Sequence, residues 1–547
     1  MSVFFKDISG TATRTDREQS DNPVRAGDVK KTLESLGLSV RPEESAEYTT
    51  LLAAVHDCAE RISNLPDYQP VPDTQRFPRK DVRIPDESEQ LYGHAWAHKF
   101  TISGEKEAEI LGSKTVCIKD CIAVAGVPQF FGSDAFDPWT PTTDATVVTR
   151  CLEAGASILG TANCEHFCNS TASFTSAQGV VHNPLKTGYS AGGSTSGGVA
   201  LVAGGHVDIA LGTDQGGSIR VPSSLCGCVG FKPTHGLVPY TGITSGDPID
   251  DHAGPIARSI DDIAACMDAI AGDDGIDDRS LGAGDRASFH FRSHVQDADG
   301  RMDGVRIAVL KEGIENELVQ PGVATAFHEA VQRLKDVGAV IEPISVPLHK
   351  EGPSVWTVQQ RISGAAGIMG RASGRRGLYL TEFEKTRLPW TQARFDKLFH
   401  STKNTVINGL YLTERFPGLY GKTVNIGRRI ADAYETVLRD YDAVVMPTTP
   451  FVAPRHGTRD SVIASFEPSM GMTTNTAVFN ITGHPALTLP VGWSAAPDDE
   501  TLLLPVGLQI VGGLGQDARV LQLARNVEKR IGWTGVPPTV DDVKRRR

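Results

Sequence analysis

At 547 residues, 40% hydrophobic and 22% charged, the chain is long enough to bury a large core and is long for one compact unit. Its formal net charge of −12, with no large basic block, argues against nucleic acid or an anionic membrane surface as the main partner. No apolar run approaches the roughly 18–20 residues of a membrane span, and MSVFFKDISG has too short an apolar segment for a secretory signal. The nine cysteines are odd in number and many stand in apolar contexts, as expected of a reduced, cytoplasmic protein.

In chain order, residues 1–27 are polar and aperiodic and read as an arm. Asp28 stands where it can cap a short helix ending at Gly37, with Val29, Leu33 and Leu36 on one face. After Pro42, Tyr48, Leu51, Leu52, Val55, Cys58, Ala59 and Ile62 recur at helical spacing. That apolar face requires a surface to pack on, either the main body or a partner subunit. Residues 65–85 carry five prolines and read as a semi-rigid connector, which divides the chain into 1–90 and 91–547.

From about residue 95 helices alternate with strands. Asp144 is expected to cap a helix through Ala154, followed by a strand over 156–160. A helix is predicted over 257–272, then a strand over 304–310 and a long helix near 322–337. The section 350–430 reads as helical, and a helix over 428–439 leads into a strand at 443–446. Residues 485–511 read as two strands around a turn at 495–499, and a last helix spans about 516–531. The basic residues 544–547 read as a solvated tail. This alternation implies an α/β fold, with a parallel or mixed sheet covered on both faces.

The chemistry concentrates in residues 192–222, GGSTSGGVALVAGGHVDIALGTDQGGSIRVP. Two serines, Ser194 and Ser218, each follow a Gly-Gly pair, with a short helix and a strand between them. Glycine lets backbone approach a ligand closely, so each serine is presented to a site. The turn from Asp214 also aims the N–H groups of Gln215, Gly216, Gly217 and Ser218 into one small space. Such a nest suits the oxyanion formed when a carbonyl is attacked. A serine hydroxyl needs a base, and apart from His206 no histidine lies near either serine. Lysine serves in Ser-Lys variants of the serine triad. Lys119 stands in TVCIKDCIAVAGVP, a buried strand and turn, where burial is expected to lower its pKa toward the ~7–8 useful to a base.

Together Lys119, GGSTSGG and GTDQGGSIRVP resemble the amidase signature family of Ser-cisSer-Lys hydrolases. Ser194 follows Lys119 by 75 residues and precedes Ser218 by 24, as in that pattern. The resemblance covers roughly 95–530. It implies a large α/β/α sandwich around a mixed sheet of about eleven strands, with a helical N-terminal part. It also implies a Ser218 nucleophile, Ser194 in a cis peptide as the bridging serine, and Lys119 as base. No cofactor or metal is called for, and the partner is a small amide. Thr195 and Ser196 depart from the family's usual Ser-Gly. Within the family the chain is similar to bacterial enantioselective amidases of nitrile metabolism, through DHAGPIARS and TNTAVFNITGHPALTLPVG. That likeness implies a homodimer and assigns the acyl pocket to Asn169, Asp250 and Trp356. Two other classes stay open: the ammonia-releasing subunit of an amidotransferase, and an inactive amidase-like binding protein.

Other motifs have plainer readings. Asp214 and Arg220 read as a fold-supporting pair around the nucleophile. Cys164, His166 and Cys168, or the pairs Cys117/Cys121 and Cys226/Cys228, read as packing residues rather than converging metal ligands, since Cys226 and Cys228 flank Gly227 and Cys117 lies on a strand beside Lys119. Residues 513–518 match a dinucleotide fingerprint but leave only 29 residues after them, too few for the rest of that fold. His252 reads as a loop-bracing histidine.

Overall fold

The computed structural model describes residues 22–34 and 36–536, so most of the expected arm and the basic tail at 544–547 lie outside the described residues. The chain divides into two compact units, Met1–Gln69 and Pro70–Arg547. In the smaller unit, α1 (Asp28–Glu34) is followed by Gly37 at φ +67°, a left-handed conformation suited to glycine. Asp28 Oδ2 accepts from the Arg25 N–H at 2.7 Å. In α2 (Ser45–Ser63) Ala54 alone is buried. Tyr48, Val55 and Ile62 are 46%, 49% and 66% exposed, so the apolar face read from the sequence is open.

In the larger unit twelve strands form one mixed sheet. From one edge it runs β1 (Lys80–Arg83), β2 (Trp96–Ile102), β4 (Ser157–Ala162), β3 (Thr115–Lys119), β7 (Ile209–Asp214), β9 (His252–Ala257) and β8 (Val229–Lys232). It continues through β13 (Ala486–Ala496), β14 (Asp499–Val511), β12 (Ala443–Pro447), β10 (Arg306–Leu310) and β11 (Val340–Ile344). A separate pair joins β5 (His182–Asn183) to β6 (Lys186–Ser190). The principal helices are α3 (Thr146–Glu153), α4 (Ser196–Ala203), α5 (Arg220–Cys226), α6 (Ile260–Ile270) and α7 (Pro321–Asp336). They continue with α8 (Gly352–Ile368), α9 (His400–Arg415), α10 (Leu419–Leu438) and α11 (Asp517–Ile531).

Strand side chains alternate between faces, and the two faces feed different cores. Ile118 of β3 and Leu211 of β7 pack with Ile263, Phe327 and Val520 from α6, α7 and α11. Their neighbours Cys117 and Ala210 pack with Val199 and Leu201 of α4. Helices therefore cover both sides, the sandwich expected. Among the described residues the sheet has twelve strands, against about eleven expected. Residues read as connector supply β1, and β9 was hidden because Gly254 and Pro255 weaken its strand signal. Asp144 does not cap α3, whose N-cap is Ala145. Its Oδ1 accepts from the Ala125 N–H at 2.8 Å, and its carboxylate pairs with Arg79. His252 opens β9 and lies buried with Nδ1 2.8 Å from the Asp250 carbonyl, which ties the strand start to the loop before it, as read from the sequence.

The site is positioned by β3 and β7, parallel neighbours with Ile118 beside Leu211. Lys119 is the last residue of β3, and Asp214 is the last of β7. In open α/β sheets ligands bind beyond the carboxyl ends of such strands.

Candidate active site

Lys119 is 1% exposed, and its amine donates to Ser194 Oγ and Thr213 Oγ1, each at 2.8 Å. The Gly193–Ser194 peptide is cis. Beyond it, Ser196 opens α4 and its hydroxyl donates to Glu165 Oε1 at 2.9 Å, while Thr195 Oγ1 has no partner among the described residues. Burial raises Glu165 to about 7, against the hydrogen bonds it receives from Thr175 and Ser196. The two departures from the family pattern therefore differ: the hydroxyl at 196 is bonded and the one at 195 is not.

The second serine sits on a turn held from below by an ion pair. Asp214 and Arg220 are wholly buried and pair at 2.9 Å. All five N–H donors of the guanidinium are used. Nε and Nη2 reach Asp214, Nη2 also reaches Asn480 Oδ1 at 2.6 Å, and Nη1 reaches the Thr476 carbonyl and Gln509 Oε1. Burial opposes the Asp214 charge, but the Arg220 charge and the bonds from Arg220 and Asn480 outweigh it, and the carboxyl is held well below its usual range. Asp214 in turn accepts from the N–H of Gly217 at 2.7 Å and of Ile219 at 3.1 Å. Gly217, at φ +135° with Thr476 Oγ1 2.5 Å from where a Cβ would stand, has to be glycine.

This corrects the nest drawn from the sequence. The Gly217 N–H belongs to Asp214. No described residue accepts from the N–H groups of Gln215, Gly216 and Ser218. Three donors, not four, are free for an oxyanion. Ser218 lines a cavity of about 340 Å³ together with Thr213, the second acceptor from Lys119.

Lys119 also departs from expectation. Burial opposes its charge, but Cys168, Cys121, Cys164 and Asp214 favour it, and its pKa lies above the ordinary lysine value rather than below. In the sequence these thiols belong to two unrelated groups. Folding brings Cys121, Cys164 and Cys168 together beside the amine. Burial pushes the Cys168 thiol up, yet hydrogen bonds from Cys121 and Cys164, the Lys119 charge and Ser194 hold it well below the ordinary thiol range.

Of the three residues expected in the acyl pocket, Asn169 and Trp356 line the cavity. Asn169 donates to Thr405 Oγ1 at 2.6 Å. Trp356 Nε1 donates to the Gln215 carbonyl at 2.6 Å, and its ring packs so closely on Gly216 that a Cβ there would lie 2.4 Å from it. Asp250 does not line the cavity. It is fully buried behind α8, accepting from Gln359 Nε2 at 3.2 Å and Gln360 Nε2 at 3.0 Å, so Gln360 faces the cavity in its place. Sequence reasoning missed Gln360, Arg361, Gly364, Gly367 and Arg387 in the lining. Helical spacing from Trp356 selects Gln360 and Gly364, one and two turns on.

The amidase family model matches residues 94–521. The chain is 37% identical to the enantioselective amidase of Rhodococcus rhodochrous over 459 residues, covering 81% of this chain and 84% of that one. Among solved structures, native peptide amidase from Stenotrophomonas maltophilia superposes with a TM-score of 0.63 at 27% identity, over 79% of this chain and 85% of its own. A glutamyl-tRNA(Gln) amidotransferase subunit from Thermotoga maritima gives 0.64 at 28%, over 80% and 89%. With the match running from before β2 into α11, and so across every element that carries the site, the chain belongs to the amidase family.

Proposed function

We propose that the protein hydrolyses a carboxylic acid amide to the carboxylate and ammonia through an acyl-enzyme on Ser218. The observation that carries the reading is the 2.8 Å bond from Lys119 Nζ to Ser194 Oγ, next to a cavity that Ser218 lines. With Lys119 neutral, Ser194 passes it a proton and takes the Ser218 proton as Ser218 Oγ attacks the amide carbon. The developing oxyanion meets the N–H groups of Gln215, Gly216 and Ser218, the kind of fixed donors that stabilise such charge. Ser194 then returns a proton to the leaving nitrogen, ammonia departs, and water cleaves the acyl-serine. In a panel of amides assayed for ammonia, added hydroxylamine should divert the acyl group to a hydroxamate. A panel with neither product would overturn the reading.

The pH profile tests the base. A base acts only when deprotonated. Lys119 is held above the ordinary lysine value, so its neutral fraction grows only on the alkaline side. We expect kcat/KM to rise with pH into the alkaline range and to fall away as the pH is lowered. Lys119→Ala should remove that limb with most of the activity. A limb unchanged in Lys119→Ala would mean another base, and a limb at or below neutral pH that Lys119→Ala removes would overturn the raised pKa of this lysine.

The same reading makes the protein a cytoplasmic homodimer. It is supported by cysteines that are all free among the described residues and by the open apolar face of α2. A monomeric mass by light scattering would overturn the dimer. The likeness to an amidotransferase subunit keeps a second reading in view, which requires a stable complex with a different chain on purification.

A further inference from the structure

The cavity beside Ser218 has a one-sided charge. Arg361 and Arg387 line it, and no described aspartate or glutamate does; the Cys168 thiol, held low beside Lys119, also borders it. Arg361, on α8, donates to Thr405 Oγ1 and lies 3.5 Å from Asn169 Oδ1, both neutral groups. Burial alone acts on its charge and lowers its pKa, with no carboxylate contributing. Arg387 is 4% exposed, donates to the Gly367 carbonyl, lies 4.2 Å over the Phe383 ring and leaves its Nε without a partner among the described residues. Glu384, which lines a neighbouring cavity of about 320 Å³ and not this one, partly offsets Arg387. No carboxylate among the described residues offsets Arg361 in the same way. Asp250 stands behind Gln360, where burial and the Asp247 charge hold its carboxyl well above the usual range and so toward the neutral form.

Buried charges are normally paired, because removing an ion from water is costly. A guanidinium kept in a substrate cavity without an acid is matched when the ligand brings the acid. Its planar fork fits a carboxylate through two parallel hydrogen bonds. We propose that the amide hydrolysed here carries a second, anionic group, a carboxylate, which Arg361 binds while the amide carbon lies at Ser218. The substrate class is then the monoamide of a dicarboxylic acid or a close relative. This rests on the amidase reading and extends it to the substrate. The two neutral contacts of Arg361 tie α8 to α9 and to Asn169. A role confined to that tie would affect stability without distinguishing a charged ligand from an uncharged one.

Binding to Ser218→Ala tests the proposal without turnover. Monoamides of dicarboxylic acids of increasing chain length are titrated calorimetrically against neutral alkyl amides of matching length. At least one acidic amide should bind roughly ten- to a hundredfold tighter than its neutral counterpart, the range for a hydrogen-bonded charge. Adding Arg361→Gln should remove that advantage, and Arg361→Lys should keep part of it. Neutral amides binding as tightly throughout, no binding by any acidic amide, or an advantage that survives Arg361→Gln would each overturn it. If Arg361→Gln fails to fold, the comparison in Ser218→Ala alone and the Arg361→Lys variant decide. Ammonia release by the unaltered protein is read separately. Its absence from every amide counts against the hydrolase, whereas hydrolysis of neutral amides with no acidic preference counts against Arg361 alone.

Discussion

Ser218→Ala is expected to lower amide hydrolysis by at least about ten-thousandfold in kcat while the chain folds normally. The size follows from the chemistry. Removing Oγ removes the only hydroxyl that the turn 214–220 presents to the cavity, and with it the acyl-enzyme. The free N–H groups of Gln215, Gly216 and Ser218 remain, so a small residual rate over water persists. Folding should be untouched, since the Ser218 side chain makes no hydrogen bond that the turn depends on; the Asp214–Arg220 pair does that. Ser194→Ala should cost less than Ser218→Ala, because Lys119 retains Thr213 as a partner and water can enter the relay. Ammonia release, hydroxamate formation and the unfolding transition are measured on the same samples. Near-normal ammonia release by Ser218→Ala would remove this serine from the mechanism.

Arg220→Ala is expected to give the largest loss of stability, about 3–5 kcal/mol, the usual result of leaving one member of a buried ion pair alone. The variant strands more than the Asp214 carboxylate. The Thr476 carbonyl, Gln509 Oε1 and Asn480 Oδ1 each lose a donor in the interior. Asp214 then has fewer reasons to stay ionised, and the Gly217 and Ile219 N–H groups are left on a weaker acceptor than the carboxylate that bends the turn. Activity should therefore fall along with stability, even where the protein is still folded. Urea unfolding and the rate on a good amide are read together. A stability within about 1 kcal/mol of the starting protein would show that the interior re-forms these bonds without Arg220, against the cost expected for such a pair.

The sequence was most legible where local chemistry and structure coincide. Gly-Gly-Ser occurs twice because backbone has to turn sharply and come close at both places, and Gly217 at φ +135° bears that out. Strand and helix spacing located most of the sheet because its strands are buried on both faces and its helices on one. The failures were of two kinds. One was side-chain direction. Asp250 lies near the cavity in the chain, yet its carboxylate turns behind α8, and nothing local fixes which way a loop residue points. The other was convergence. Cys121, Cys164 and Cys168 bear on Lys119 from two segments, so the pKa expected from burial alone had the wrong direction. Asn169, Arg361 and Thr405 likewise meet across three segments, and no spacing within one segment reveals a cation at the site.

Trp356 has a consequence for anyone who wishes to redesign this protein. The indole that forms one wall of the cavity also holds the Gln215 carbonyl and covers Gly216. Space for a bulkier acyl group cannot be opened at position 356 without also loosening the turn that carries Ser218. Breadth of substrate and speed of turnover are therefore tied at this one residue. Libraries aimed at new amides will do better to vary Asn169 and Gln360, which border the same space without touching that turn, and to leave the tryptophan in place.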